Sequence, residues 1–406
     1  MTLSLLSAAC IASLSAQQFA LHEGDRVAFY GDSITAQRFY TRFVEDFVLT
    51  RYPSLHVDFV NAGVPGDTVY GGYTGDTTKR LARDLFPHRP TVVTIMLGMN
   101  DGYYMPFEQK YFDVYKDGYR KLLAAIQAEL PSARIMLISP TPYDEVTHGT
   151  EFAHYNETIT HYAAFVSELA SSSHLGFCGL NRPVSNLLAA GSQKNPSLAS
   201  LLVPDHIHPS EAAHWVMAAA LVQCWGASPI VSSVSIDAAS QSVRAQQNTA
   251  ISGLAVAGGH VAWTQTDAAL PLPLQFENAM TPFVLESSDL AAMDRQIVQV
   301  KGLSASRYAL SIDGHAVGAF SREDLANGIN LALYPTPMLD QAKGIDNLER
   351  ERTALDEARF IVADEDPKAP GAEAAVAGMN AKENLLVSEQ RKEVQPKPHR
   401  FELTPQ

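Results

Sequence analysis

The first half of this sequence predicts a doubly wound α/β domain. Between residues 26 and 225, short apolar β-rich runs alternate with longer stretches whose apolar residues recur at three and four. Runs that are apolar on both faces and separated by helices belong to a parallel sheet covered on each side.

The strands are read in order as "RVAFY" (26–30), "HVDFV" (56–60), "TVVTIML" (91–97), "RIMLIS" (134–139) and "LGFCGL" (175–180). Between them "RFYTRFVEDFVLTRY", "DTTKRLARDLF", "VYKDGYRKLLAAIQAEL" and "AHYNETITHYAAFVSELASS" carry the helical period. These elements place an α/β unit at residues 20–228.

The flanks read differently. Residues 1–16 form an uncharged apolar run too short to span a bilayer, which reads as a signal peptide and implies export, with an ordinary buried helix as the other reading. Cys10 there has only a faint likeness to a lipoprotein attachment site. Beyond it, Cys178 and Cys224 either form one disulfide or stay as two buried thiols. Residues 229–335 form a small β-containing accessory unit, in which Tyr308, Leu310 and Ile312 alternate before an Asp313-Gly314 turn and Val317 continues the same face. A hairpin needs a further apolar surface, so this unit is expected to dock on the α/β unit, with a tethered module that has its own small core as the other reading. Residues 336–363 read as a charged helix packing back across one of the two, and residues 364–406 as a low-order charged tail.

With 406 residues and 46% hydrophobic content the chain can bury a sizeable core. Its formal net charge of −14 repels phosphate backbones and anionic surfaces, which excludes nucleic acid as a partner class. Stable membrane insertion is not expected either, and no cysteine spacing gives a metal motif.

Ligands of a doubly wound sheet sit at the carboxyl ends of its strands. Gly31-Asp32-Ser33 follows the first run, "NAGVPGDT" with Asn61, Gly63 and Gly66 the second, and "GMND" with Gly98, Asn100 and Asp101 the third. Ser33 alone reads as a helix cap. The far end of the domain alters that reading, because "VPDHIHPSEAAHW" puts Asp205 three residues before His208. A serine, then an acid and a histidine on one loop, have the chain order and chemistry of a nucleophile, an orienting acid and a base. Gly66 can present a backbone N–H and Asn100 a side-chain NH₂ to a developing oxyanion. Asp32, Tyr103 and Tyr104 are the residues expected to border the substrate, with packing of their own loop as the other reading of the two tyrosines, while His206 reads as a structural or rim histidine and His214 as packing or surface.

The blocks "GDSI" (31–34), "NAGVPGDT" (61–68), "GMND" (98–101) and "DHIH" (205–208) resemble the signature of the SGNH or GDSL hydrolase superfamily over residues 22–225. The resemblance implies a flavodoxin-like three-layer α/β/α fold around a five-stranded parallel sheet and ester hydrolysis without a cofactor or metal. It puts the nucleophile on Ser33, the acid on Asp205 and the base on His208. The oxyanion donors fall on the Ser33 and Gly66 backbone and the Asn100 amide. The function expected is hydrolysis of a small-molecule or saccharide ester, as a carbohydrate O-deacetylase or short-chain esterase. A lysophospholipase or thioesterase is the alternative, as is a non-catalytic carbohydrate-binding protein on the same scaffold.

Overall fold

The computed structural model describes residues 19–149, 154–274, 279–362 and 369–406. The leader read at residues 1–16 lies outside the described residues.

The hydrolase unit runs β1 (Arg26–Gly31), α1 (Ser33–Ala36), α2 (Phe39–Arg51), β2 (Asp58–Gly63), β3 (Val92–Met96), α3 (Gln109–Glu129), β4 (Arg134–Ile138), α4 (Tyr155–Ser172), β5 (Gly176–Cys178), α5 (Asn181–Lys194) and α6 (Glu211–Cys224). The five strands are all parallel in the order β2-β1-β3-β4-β5. Alternate residues of each strand enter opposite layers. Val27, Phe29, Val92 and Met96 pack with α2, α5 and α6, where Phe43 stacks on Trp215 at 4.1 Å. Ala28, Tyr30, Val93 and Ile95 pack with Tyr115, Tyr119 and Tyr162 of α3 and α4. Both faces are therefore dry, as the unbroken apolar runs require. Strand β2 continues beyond the "HVDFV" run because Asn61 to Gly63 pair with Phe29 to Gly31, so the second motif begins inside the sheet. A disulfide joins Cys178 at the end of β5 to Cys224 at the end of α6.

The C-terminal half is larger and more regular than a small accessory unit. Strands β6 (Ile230–Asp237), β7 (Ser242–Gln247), β8 (Thr249–Ala257), β9 (His260–Asp267), β10 (Arg295–Lys301), β11 (Arg307–Ile312) and β12 (His315–Ser321) precede two long helices, α7 (Pro337–Phe360) and α8 (Ala372–Glu393), and a last strand β13 (Pro398–Pro405). One antiparallel sheet has the order β8-β9-β13-β11-β12, and a second holds β10, β6 and β7 with the short strand Ile329–Asn330 at its edge. Their inner faces meet in one core containing Val234, Ile236 and Val298 from one sheet and Trp263, Tyr308, Leu310 and Phe401 from the other. The Asp313-Gly314 loop takes φ of 52° and 80° between the paired residues Ile312 and His315, the left-handed pair that a two-residue hairpin needs.

The tail expected to be of low order is instead α8 and β13. Helix α8 buries few apolar side chains, but Arg352 and Arg359 of α7 both reach Glu383, and Gln390 donates to Glu349 at 2.6 Å. Charge pairing, which an apolar-periodicity reading does not register, holds it in place. Helix α7 serves both halves. Its Met338, Ala342 and Ile345 enter the sandwich core, while its later turns lie against α2. A second seam is Arg51, which donates to Ser228 O at 2.6 Å and pairs with Asp294 at 3.0 Å, both side chains buried.

Strand β13 lies between β9 and β11 and contributes the buried Phe401 and Leu403. Full burial of each contributes about 1.5–3 kcal/mol, a large share of a typical net stability of about 5–15 kcal/mol. Truncation after Gln395 should therefore leave an aggregating chain or lower Tm by several degrees. Calorimetry showing an unchanged transition would contradict the central placement of this strand.

Candidate active site

The three loops that follow β1, β2 and β3 meet beside the β1/β3 junction, where strand order reverses. Asp32 caps α1 by accepting the Ile34 N–H at 3.0 Å, and Ser33 begins the helix. Gly63 lets α1 lie against the end of β2, since a Cβ there would meet the Ala36 nitrogen at 2.4 Å. Asp32 was expected at the substrate but is only 2% exposed. A one-turn helix needs an acceptor for its first amides, and Asp32 is turned inward to supply it. Burial pushes its carboxyl up to about 7, against the Ile34 hydrogen bond.

The Ser33 Oγ lies 2.8 Å from His208 Nε2, and His208 Nδ1 lies 2.6 Å from Asp205 Oδ2. The other Asp205 oxygen accepts the backbone N–H of His208 at 2.7 Å and of Ile207 at 3.1 Å, so the short Asp-x-x-His spacing closes a turn on its own acid. Burial would raise the Asp205 carboxyl, but the His208 and Ile207 hydrogen bonds outweigh it and hold it below the usual range. An ionised Asp205 accepts Nδ1–H, which leaves Nε2 as the basic nitrogen facing the serine. The side chains of His208 and Asp205 are 31% and 54% exposed, so the relay opens to solvent.

Gly66 sits in a turn closed by Asp67 N–H to Val64 O at 3.3 Å, with φ of 74°. An added Cβ would meet nothing nearer than the Tyr73 ring at 3.8 Å, so within the chain it is the backbone angle that calls for glycine. Asn100 donates Nδ2–H to Asp67 O at 2.8 Å, and its Oδ1 accepts from Tyr104 OH at 2.8 Å. Because a backbone carbonyl only accepts, the atom beside Asp67 O must be the NH₂, which keeps a second N–H for a bound oxygen. The phenol of Tyr104 is pushed up to about 12, mainly by burial, and so remains a donor.

Other residues fall into place around this centre. Tyr103 donates its backbone N–H to Asn100 O at 3.2 Å, packs its ring on Tyr111 of α3 at 5.0 Å and stays exposed. His206 lies on the rim, its Nδ1 on Asp144 O at 2.9 Å and its ring stacked on Tyr143. His214 is fully buried, accepts the Tyr40 N–H at 3.1 Å, and burial lowers it to about 3. One residue escaped the sequence reading, and a second, Asp101, was read only as part of its strand-end loop. Tyr73, exposed beside Gly66, stands between Gly72 and Gly75 in "YGGYTGD", a glycine-flanked turn that projects an aromatic. Asp101 accepts the Val69 N–H at 3.0 Å and so ties the Gly66 loop to the Asn100 loop.

Residues 29–216 match the GDSL-like lipase/acylhydrolase family. An acetylxylan esterase from Geobacillus stearothermophilus is 27% identical over 218 residues, spanning 49% of this chain and 93% of its own. Among solved structures, a gut microbial diltiazem-metabolizing enzyme is 25% identical across 96% of this chain and 99% of its own, with a TM-score of 0.82. The acetylxylan esterase Axe2 from Geobacillus stearothermophilus covers 51% of this chain and 97% of its own at 24% identity, with a TM-score of 0.41. In this chain a serine at the end of the first strand is bonded to the histidine of a late Asp-x-x-His loop, and with these likenesses in sequence and fold the chain belongs to the SGNH/GDSL hydrolase superfamily and is an ester-hydrolysing enzyme.

Proposed function

We propose that Ser33 is the nucleophile, His208 the general base and Asp205 its orienting acid, in the hydrolysis of O-acetyl esters on carbohydrate. The observation that carries the assignment is the unbroken chain from Ser33 Oγ through His208 to Asp205, at 2.8 Å and 2.6 Å. His208 Nε2 takes the hydroxyl proton as Oγ forms a bond to the ester carbonyl. The oxyanion is met by the Ser33 and Gly66 backbone N–H groups and the Asn100 amide. As the intermediate collapses, the C–O bond to the alcohol breaks and His208 returns the proton to that oxygen. Water then attacks the acetyl-serine by the same route, releasing acetate and restoring Ser33.

The substrate class is supported by the acetylxylan esterase relative and by the open rim. Tyr73 is 78% exposed beside Gly66, so a pyranose could lay its apolar face on that ring while an acetyl group enters. A compact ester that is not a saccharide is the second reading, favoured by the full-length neighbour, a diltiazem-metabolizing enzyme. Export is part of the proposal, supported by the Cys178–Cys224 disulfide. Acetate release from acetylated xylo-oligosaccharides, set against p-nitrophenyl esters of rising acyl length, separates these readings. Preference for long acyl chains would defeat the deacetylase assignment.

Ser33→Ala should lower kcat by about a thousandfold or more with an unchanged circular-dichroism spectrum. A variant that keeps a tenth of wild-type turnover would refute the nucleophile. Asn100→Ala should lower kcat by roughly a hundredfold or more with little change in KM. A change confined to KM would instead make Asn100 a substrate-binding group.

Asp101 gives a pH prediction. Burial, together with the Asp32 and Asp67 carboxylates, pushes its carboxyl from the ordinary 3.8 up to about 8 against the Val69 hydrogen bond. The folded chain thus holds a proton that the unfolded chain has lost, and stability falls as pH rises through that window. Asp101→Asn keeps an acceptor for Val69 N–H but does not titrate. Its urea-unfolding free energy relative to wild type should rise between about pH 5 and pH 8. A difference that stays flat with pH would show that Asp101 is ionised in the folded protein.

A further inference from the structure

Helix α7 reaches the hydrolase unit at the two places where the supports of the site end. The first is the far end of α1, which has only four residues. A helix that short does not sustain itself in water, so the groups on its last carbonyls decide where it lies. Asn61 Nδ2 donates to Thr35 O at 2.8 Å, and Arg38 Nη1 donates to Ala36 O at 2.9 Å. Arg38 itself sits at φ of 62°, in the left-handed region, and is buried. Its Nε pairs with Asp356 of α7 at 3.0 Å, and its guanidinium lies 5.9 Å from the Phe360 ring of the same helix.

The second place is the start of α6, three residues after His208. Glu211, the first residue of that helix, accepts from Arg42 of α2 at 2.5 Å and from Arg350 of α7 at 2.7 Å on one carboxylate oxygen. Arg350 is fixed in turn by Asp346, at 2.8 Å from Nε. An inner tie between the same segments exists within the hydrolase unit, since His214 of α6 accepts the Tyr40 N–H and meets Gln37 Oε1 at 3.1 Å. Asp356 and Arg350 add ties to the same segments from α7.

We propose that α7 is a positioning element for catalysis, its Asp356 and Arg350 setting the separation of Ser33 and His208 through Arg38 and Glu211. The proposal rests on the reading of Ser33 and His208 given above. Neither α7 residue touches the reacting atoms. They act through the two short segments that carry them. The sensitivity is steep, because a misplacement of about 1 Å far from the chemistry can cost about a hundredfold in rate. The side chains of Asp356 and Arg350 are 33% and 35% exposed, so removing their charges opens no cavity. Their partners are more buried, the Arg38 side chain at 8% and that of Asp346 at 1%, so some fall in Tm accompanies the loss of either charge. A stabilising role alone makes kcat follow Tm, whereas a positioning role lowers kcat in enzyme that is still fully folded.

The test uses the full chain with Asp356→Asn, Arg350→Gln and the double variant, and with Asp356→Glu and Arg350→Lys as conservative replacements. Three quantities are measured: Tm, kcat and KM on p-nitrophenyl acetate, and the rate at which a fluorophosphonate labels Ser33. The double variant should lose about tenfold to a hundredfold in kcat, with KM within about twofold of wild type. Labelling should slow in step, the loss in kcat should exceed what any fall in Tm explains, and Arg350→Lys should recover part of the rate. Should the double variant fold poorly, the single variants decide by the same comparison. Wild-type kcat and labelling rate in folded variants would overturn the proposal. So would a kcat loss that only tracks a fall in Tm. Absence of labelling at Ser33 in the wild-type enzyme would instead overturn the nucleophile assignment and leave the brace with nothing to position.

Discussion

Helix α2 has no solvent side. Every residue from Tyr40 to Arg51 is buried, including Arg42, Glu45, Asp46, Thr50 and Arg51. In a doubly wound domain the outer face of such a helix ordinarily meets water, and its polar residues need no partner. Here that face is covered, so each buried charge must be matched by another or neutralised. The matching groups come from the C-terminal half: Asp294 for Arg51, Asp346 beside Arg42, and Arg352 for Glu45. The two halves are therefore one structure in the energetic sense, because separating them would expose each charge without its counter-ion.

The acids on this seam are not evenly compensated. Burial pushes the Asp46 carboxyl well above the usual range, and the adjacent Asp346 and Glu349 carboxylates push it further against the nearby Arg42. Glu45 is raised in the same direction by burial and by Glu349, although Arg352 opposes the shift. Protonated acids suit such a place, since a neutral carboxyl can donate to its neighbour while a second anion could not stay. Stability from these groups is greatest in acid and is lost as pH rises through their raised values. Asp205 behaves oppositely. Its depressed carboxyl favours the fold above its ordinary range and loses that contribution as pH falls.

The hydrolase unit was legible because its signals are local. Apolar runs fix the sheet, and short motifs at strand ends carry Ser33, Gly66, Asn100, Asp205 and His208 into one place once the strands are parallel. Less legible was anything that depends on who faces whom. The polar residues of "RFYTRFVEDFVLTRY" look like a solvated face, and only the partner helix shows otherwise. Strand β13 has just Phe401 and Leu403 as alternating apolar residues among charged neighbours, too faint a pattern until β9 and β11 flank it. Helix α8 read as disordered because its contacts are ionic, and ion pairing leaves no mark on apolar period. Asp32 was misplaced for a related reason: adjacency in sequence to a catalytic motif does not say which way a side chain turns.

The acetylxylan esterase relative matches along 93% of its own length while covering 49% of this chain, so the chemistry and the C-terminal half are separable across proteins. Within this chain they are not. The ends of α2 and its neighbours are committed on one side to the loops that carry Ser33 and His208, and on the other to α7 and the sandwich. A packed helix transmits displacement rather than absorbing it, because protein interiors are close to crystal density and leave no slack. Whatever shifts α7, by ligand, partner or pH, therefore acts directly on Arg38, Arg42, Glu45 and Glu211 of the hydrolase unit.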